Sequence, residues 1–297
     1  MTLETLGVAD ANLVPGALAE DQTGIARAFF RRRLAVAALI VFALVVLAAV
    51  LAPILGLPDP NAQALTDRLQ GPGWHHLLGT DELGRDEFVR ILSATRVSLW
   101  ATVQATLVGV LLGVPLGLIT GYAGGWIDGL LSRAFDSIQS VPPLILAIAI
   151  VAIFGRSLTP AMIAIGIVFS PTFYRVSRAA ASTVASETFV EASKAMGQRS
   201  YKIISGHVLG NVSSVLIVQT TTTLAFGILA EAALSYLGLG VQPPSASLGS
   251  MLTSAANLLN ASPQLTIEPG LVITLLVLCI SLVGDALRDI SSGIRDA

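Results

Sequence analysis

The chain has 297 residues, of which 54% are hydrophobic and 12% charged, with a mean hydropathy of +0.77. That charge content is about half the average for soluble domains, so it excludes an ordinary soluble protein and implies an integral membrane protein without a nucleic-acid partner. The net charge of −2 says little, because the charges on individual loops set membrane orientation. The single cysteine, Cys279, lies in an apolar run and excludes an intrachain disulfide.

Residues 1–26 show no sustained period and read as a tail, taken as far as residue 30. Arg31, Arg32 and Arg33 abut residues 34–55, a stretch without charge. At 1.5 Å per residue it spans about 33 Å, enough for a first transmembrane helix. A cleaved signal peptide is the rival reading, but the apolar run is too long for one. Further apolar segments at 97–121, 138–154, 158–174, 212–239 and 266–284 bring the total to six. The expected architecture is therefore an all-α integral membrane protein with six transmembrane helices. Residues 31–95 hold the first helix and an outside loop, residues 96–290 a core of five helices, and residues 291–297 a short tail. With residues 31–33 in the cytoplasm, alternation puts 56–95, 155–157 and 240–265 outside. Twelve of the seventeen Lys and Arg residues then lie inside and five outside, which favours both termini in the cytoplasm.

In the outside loop, His75 and His76 precede the run LGTDELGRDEFVR over residues 78–90. Asp81, Glu82, Asp86 and Glu87 lack the spacing of a calcium loop, and adjacent histidines diverge on most backbones, so no metal site is expected. The run reads as a solvated helix entry with Thr80 as N-cap. The next helix carries Gly109, Gly113, Gly117 and Gly121 at intervals of four. Such a smooth stripe suits close helix packing in lipid, and a substrate path along it is the sharper alternative. Pro142, Pro143 and Pro171 permit bends in the segments that follow.

Residues 186–211 are the main polar interruption between hydrophobic helices. Thr188 and Glu191 stand at capping-box spacing, and Gly197 can supply a left-handed residue that ends one helix before Ser200 starts another. Lys194, Arg199 and Lys202 beside Phe189, Val190, Tyr201, Ile203 and Ile204 make a surface that fits a groove on a soluble partner. Glu231 is an acid within an apolar segment, about 28 Å along from Val212 and hence near the outer interface. It reads either as a structural hydrogen-bonding group at a pore mouth or as part of the substrate path. Asp285, Arg288 and Asp289 read as a solvated helix end, and Arg133 with Asp136 as an i,i+3 pair. No phosphate-binding loop, H-E-x-x-H, C-x-x-C or G-x-S-x-G occurs, so nothing supports catalysis, nucleotide hydrolysis or a metal centre in this chain.

Three blocks resemble one family. Glu191, Ala192, Ser193, Gly197 and Leu209 fall at the spacing of the loop that membrane subunits of ATP-binding-cassette importers insert into their ATPases, with Ser193 for an alanine and Gly210 for a proline. His76, Leu78, Gly79, Thr80, Asp81, Leu83, Gly84, Arg85 and Asp86 are similar to a signature of the peptide and nickel class. Residues 230–252 are similar to the same class, with Tyr236 for a phenylalanine and Leu248 for a tryptophan. The resemblance is greatest to the C-type permease of dipeptide and oligopeptide importers. It implies a type I permease fold in a bacterial inner membrane and a coupling loop holding Glu191, Ala192, Ser193, Gly197, His207 and Leu209. The implied partners are a second, homologous permease, two ATP-binding subunits that carry the ATP and Mg, and an extracytoplasmic substrate-binding protein. No cofactor is implied for this chain. Nickel or another small solute is the alternative cargo. A self-sufficient secondary transporter is a rival of another kind, weakened by the lack of inverted halves and the sparse charge within the helices.

Overall fold

The computed structural model describes residues 27–293; the expected tail over residues 1–26 and the last four residues lie outside that range. Among the described residues, helices are joined by turns and loops, the longest non-helical stretch running over residues 52–86 with one 3-10 turn at Leu65–Asp67 and one isolated bridge between Thr80 and Asp86. The long helices are α1 (Arg33–Leu51), α2 (Glu87–Ala123), α5 (Leu158–Ala185), α8 (Leu209–Tyr236) and α10 (Gln264–Gly293). Shorter helices lie between them: α3 (Gly125–Gln139), α4 (Pro143–Phe154), α6 (Thr188–Ala195), α7 (Ser200–Ile203) and α9 (Leu248–Ala256).

Among the described residues, four helices are long and apolar enough to cross a membrane, or five if a bent pair counts as one span. Residues 138–154, expected as one segment, are not one helix. Pro142 and Pro143 break the run, and α3 meets α4 at 89°. The reason is chemical, because a proline has no N–H to continue the ladder and its ring clashes with the preceding turn. The helix over residues 158–185 is long enough to span, but Pro160, Pro171 and Arg175 dilute its apolar character, and it is not among the four.

Helices α2 and α5 run together along the glycine stripe. A Cβ on Gly113 would lie 2.5 Å from the Ser170 carbonyl oxygen, and one on Gly117 would lie 2.5 Å from that of Tyr174. Gly166 of α5 returns the contact, with the Ala105 carbonyl oxygen 2.7 Å from its notional Cβ. Backbone meets backbone, so no side chain larger than hydrogen fits at the contact. Helix α10 lies against α8, α1 and α9. Phe29, expected to belong to the tail, is buried beside Ala286 and Ile290 of α10, and Arg32 at the entry to the first helix pairs with Asp289 at 2.5 Å.

Two expected loops prove to be built structures. Within the stretch 240–265, α9 begins with a capping box in which Ser247 and Ser250 bond each other's backbone N–H, and it buries Leu248 and Met251 against α2, α8 and α10. The second is the run at residues 78–90, which is buried rather than solvated. Thr80 is not an N-cap: its hydroxyl accepts from the Gln70 N–H at 2.9 Å and donates to the Asp67 carbonyl. The cap of α2 is Asp86, which accepts from the Val89 N–H at 3.1 Å and also meets His76 Nδ1 at 2.8 Å. Asp81 accepts from the Leu83 and Arg85 N–H groups and from Arg85 Nε at 2.6 Å. Arg90 donates to the Pro60 carbonyl at 3.1 Å, which ties the loop to the first turn of α2. Arg133 and Asp136 do not pair within 4 Å.

Candidate coupling surface

The polar interruption forms a compact helix-turn-helix between α5 and α8. The N-cap of α6 is Glu187, in extended conformation and without a side-chain cap bond, so the expected Thr188–Glu191 capping box is absent. Thr188 is already helical, one residue too far along to cap. At the other end the sequence reading and the geometry coincide. Gly197 has φ +76°, its N–H donates to the Lys194 carbonyl at 3.0 Å, and the Gln198 N–H donates to the Ser193 carbonyl at 3.1 Å. These two bonds are the Schellman pattern that closes a helix on a left-handed residue.

Beyond the turn, α7 passes through a π turn at residues 204–208 into α8, so residues 200–236 form one continuous helix. Gly210, where the resembling family has proline, leaves that helix unbroken.

What holds this element to the bundle is apolar. Val190, Ile203, Val208 and Val212 are fully buried together with Val114 and Leu118 of α2 and Phe173 and Ala181 of α5. Ser193 is buried and donates to the Phe189 carbonyl at 2.8 Å, His207 meets the Phe189 ring edge-on at 6.2 Å, and the Lys194 ammonium stands 4.8 Å from the centre of the Tyr122 ring. Glu191, Ala192 and Gly197 face outward, and Leu209 is partly exposed. Beside them Met196 is 79% exposed and Tyr201 60% exposed. One face therefore grips α2 and α5, while the other presents large apolar side chains with Lys202 and Arg199 among them.

A second linkage lies next to it and has no periodic signature in the sequence. Asp128 of α3 and Arg178 of α5 form a two-pronged ion pair, with Nη2 to Oδ2 at 2.6 Å and Nε to the other oxygen. Tyr174 stacks on Phe135 at 4.2 Å and bonds Ser132 and Thr120 through its hydroxyl. Helix α3 is thereby fastened to the same α5 that leads into α6.

The acid within α8 has a different setting. Glu231 is 0% exposed, and its Oε1 accepts from Ser235 Oγ at 2.6 Å. It lies at the junction of α8, α2 and α9, where Ser98 Oγ accepts from the Leu248 N–H at 3.2 Å. In this chain it offers no surface to a solute. No group of three or more His, Cys, Asp or Glu side chains among the described residues could hold a metal ion.

With this geometry in place, comparison with known proteins is informative. Residues 113–292 match the family model described as binding-protein-dependent transport system inner membrane component, and residues 23–72 match the N-terminal transmembrane domain of oligopeptide transport permease C. The dipeptide transport system permease protein DppC of Alkalihalophilus pseudofirmus is 41% identical over 259 residues, covering 87% of this chain and 85% of its own. The glutathione transport system permease protein GsiD of Pectobacterium atrosepticum is 39% identical over 265 residues, covering 89% and 88%. Among solved structures, an inward-facing form of the methionine transporter MetNI aligns with a TM-score of 0.56 at 19% identity, covering 68% of this chain and 97% of that one. At that identity the likeness establishes the fold alone.

Proposed function

The chain belongs to the family of binding-protein-dependent transport inner membrane components, and from that premise we propose that it is the C-type permease of an ATP-driven importer of short peptides. As a member of that family it is an inner-membrane transport subunit and not an enzyme. Peptides are favoured as cargo because the relatives named for dipeptides and for glutathione both align over more than four-fifths of their length.

In this reading six spans cross the membrane with both termini in the cytoplasm, the α3–α4 pair and α5 supplying the two that composition alone leaves open. A second, homologous permease completes the pathway, two ATP-binding subunits lie beneath with ATP and Mg, and a binding protein delivers cargo from outside. The observation that carries the coupling role is the two-sided build of residues 188–208. Val190, Ile203 and Val208 are buried against α2 and α5, while Met196 and Tyr201 project outward. An element gripped on one face and exposed on the other can carry a partner's motion as a rigid body. Closure of the ATPases moves α6, which drags α5 and α2, and the Asp128–Arg178 pair brings α3 along.

Purification through a tag on the chain, from its own membranes and in mild detergent, tests this. Recovery of a second permease, ATPases and a binding protein retaining a peptide is the expected result. Recovery of the chain alone, moving solute when reconstituted, overturns it in favour of a secondary transporter.

A further inference from the structure

The break between α3 and α4 borders a cavity of about 380 Å³ that reaches α5 and the middle of α8. Its position follows from the sequence of the break. In a continuous helix the carbonyls of Ile138 and Gln139 would accept from the N–H groups of residues 142 and 143. Both are prolines and have none. Irregular backbone of this kind is tolerated at membrane depth only where it is buried in protein or lines a water-filled space. Ile138 and Gln139 line this cavity.

The remaining walls are mixed, with Val141, Val168, Phe169 and Phe226 giving apolar patches between polar side chains. Gln139, Thr172, Gln219, Thr222 and Thr223 all face the cavity, and no charged residue does. Gln219 and Thr223 lie one turn apart on α8 and bond each other at 3.1 Å, side chain to side chain. Gln219 is ten residues beyond Leu209, about 15 Å along α8 at 1.5 Å per residue. Thr222 and Thr223 give their hydroxyl hydrogens to the Val218 and Gln219 carbonyls of their own helix, so hydrocarbon filling the space would strand chiefly the Gln139 amide, the Thr172 hydroxyl and the Gln219 side-chain oxygen. A small solute fits: the volume lies within the range of about 300–1,000 Å³ usual for ligand sites.

We propose that this cavity is the chain's own share of the solute path, and that it takes a short peptide by its main-chain amide groups. The proposal rests on the reading of the chain as a peptide importer subunit. Side-chain amides and hydroxyls both donate and accept, so they match the N–H and C=O groups of a peptide in either direction. A wall without fixed charge does not sort peptides by the charge of their side chains, and the free carbonyls at the break suit an ammonium terminus. Phe226, on the same wall, gives an apolar side chain a place to rest.

The test uses the whole importer in proteoliposomes, cysteine-free apart from Thr222→Cys, with Cys279→Ser in this chain. A positively charged methanethiosulfonate reagent, which reacts from water, should modify Thr222→Cys in the nucleotide-free complex. Uptake of labelled dialanine should then fall at least tenfold while ATP hydrolysis continues. Separately, Gln219→Leu should raise KM by about fivefold, the worth of one neutral hydrogen bond. That shift should be equal for dialanine, an acidic dipeptide and a basic one. Failure of Thr222→Cys to react, or full uptake after it has reacted, overturns the path and leaves a partner helix as the occupant. A Gln219→Leu effect confined to one of the three peptides overturns main-chain recognition. If the unmodified importer takes up none of them, the peptide reading itself fails, and the reaction of Thr222→Cys still decides whether the cavity holds water.

Discussion

Gly197 has a conformational requirement without a spatial one. Its φ is +76°, yet a Cβ there would meet nothing within 4 Å, so any effect of substitution comes from backbone strain. For a β-branched residue in that region the cost is about 1–3 kcal/mol. Gly197→Val should leave the complex assembled but lower the coupling of ATP hydrolysis to uptake, whereas Gly197→Asn, which tolerates left-handed backbone, should retain most of it. Parallel assays of ATPase stimulation and transport decide this, and parental transport by the valine variant would count against a role for the turn. Gly84 is the opposite case. Its φ is +72° and a Cβ would land on the Ala64 carbonyl. Gly84→Ala should therefore cost more than about 2 kcal/mol and open the loop between α1 and α2 to proteolysis, since strain and clash add. Glu191 faces outward from a helix that Glu187 begins, so Glu191→Ala should change helix stability by no more than a few tenths of a kcal/mol. Hydrogen exchange across residues 188–195 measures that.

Among the elements, the α2–α5 pair is the least forgiving. Gly113 faces the Ser170 carbonyl, the Phe173 side chain and the Tyr174 N–H, all within 2.8 Å of a notional Cβ. Gly113→Leu should prevent the helices from meeting, with loss of the monodisperse species on size-exclusion chromatography. Gly129 in α3 is the control, with nothing within 4 Å of its notional Cβ. Gly129→Ala should raise thermal stability, as alanine is favoured over glycine in a helix by about 1 kcal/mol. The ion pair that fastens α3 is partly solvated, with Arg178 40% exposed, so its removal should cost only about 1 kcal/mol. Its larger effect should fall on transport. Arg178→Ala and Asp128→Ala should each lower uptake more than stability, and the exchange Asp128→Arg with Arg178→Asp should recover part of it. Equal losses of uptake and of thermal midpoint in all three would reduce the pair to a structural tie.

At the scale of the whole molecule, the exposed apolar surfaces are of two kinds. Those around the long helices belong to the apolar spans, while Met196 and Tyr201 lie on a short helix-turn-helix among Lys194, Arg199 and Lys202. A charged substitution such as Met196→Glu should therefore leave the chain in the membrane and release the ATPases on purification. Retention of the ATPases at parental stoichiometry would exclude that face as the dock.

The membrane class, the long apolar helices and the glycine turn at Gly197 were readable from the sequence, because hydropathy runs and positive-φ requirements are local properties of the chain. The break after residue 139 was half readable, in that Pro142 and Pro143 announced a bend but not its 89° angle. The capping box at Thr188 misled because residue spacing permits a cap without fixing which residue is the last one outside the helix. Thr80 misled for the same reason, and Asp86 holds that position. Only the tertiary structure brought Asp128 to Arg178, fifty residues apart, closed Glu231 within a three-helix junction, and buried the loop between α1 and α2 around Asp81 and Arg90. Those placements depend on which helices are neighbours: the glycine stripe of α2 is periodic in the sequence, but the surface of α5 that it meets, at Gly166, Ser170 and Tyr174, is fixed only when the two backbones come together.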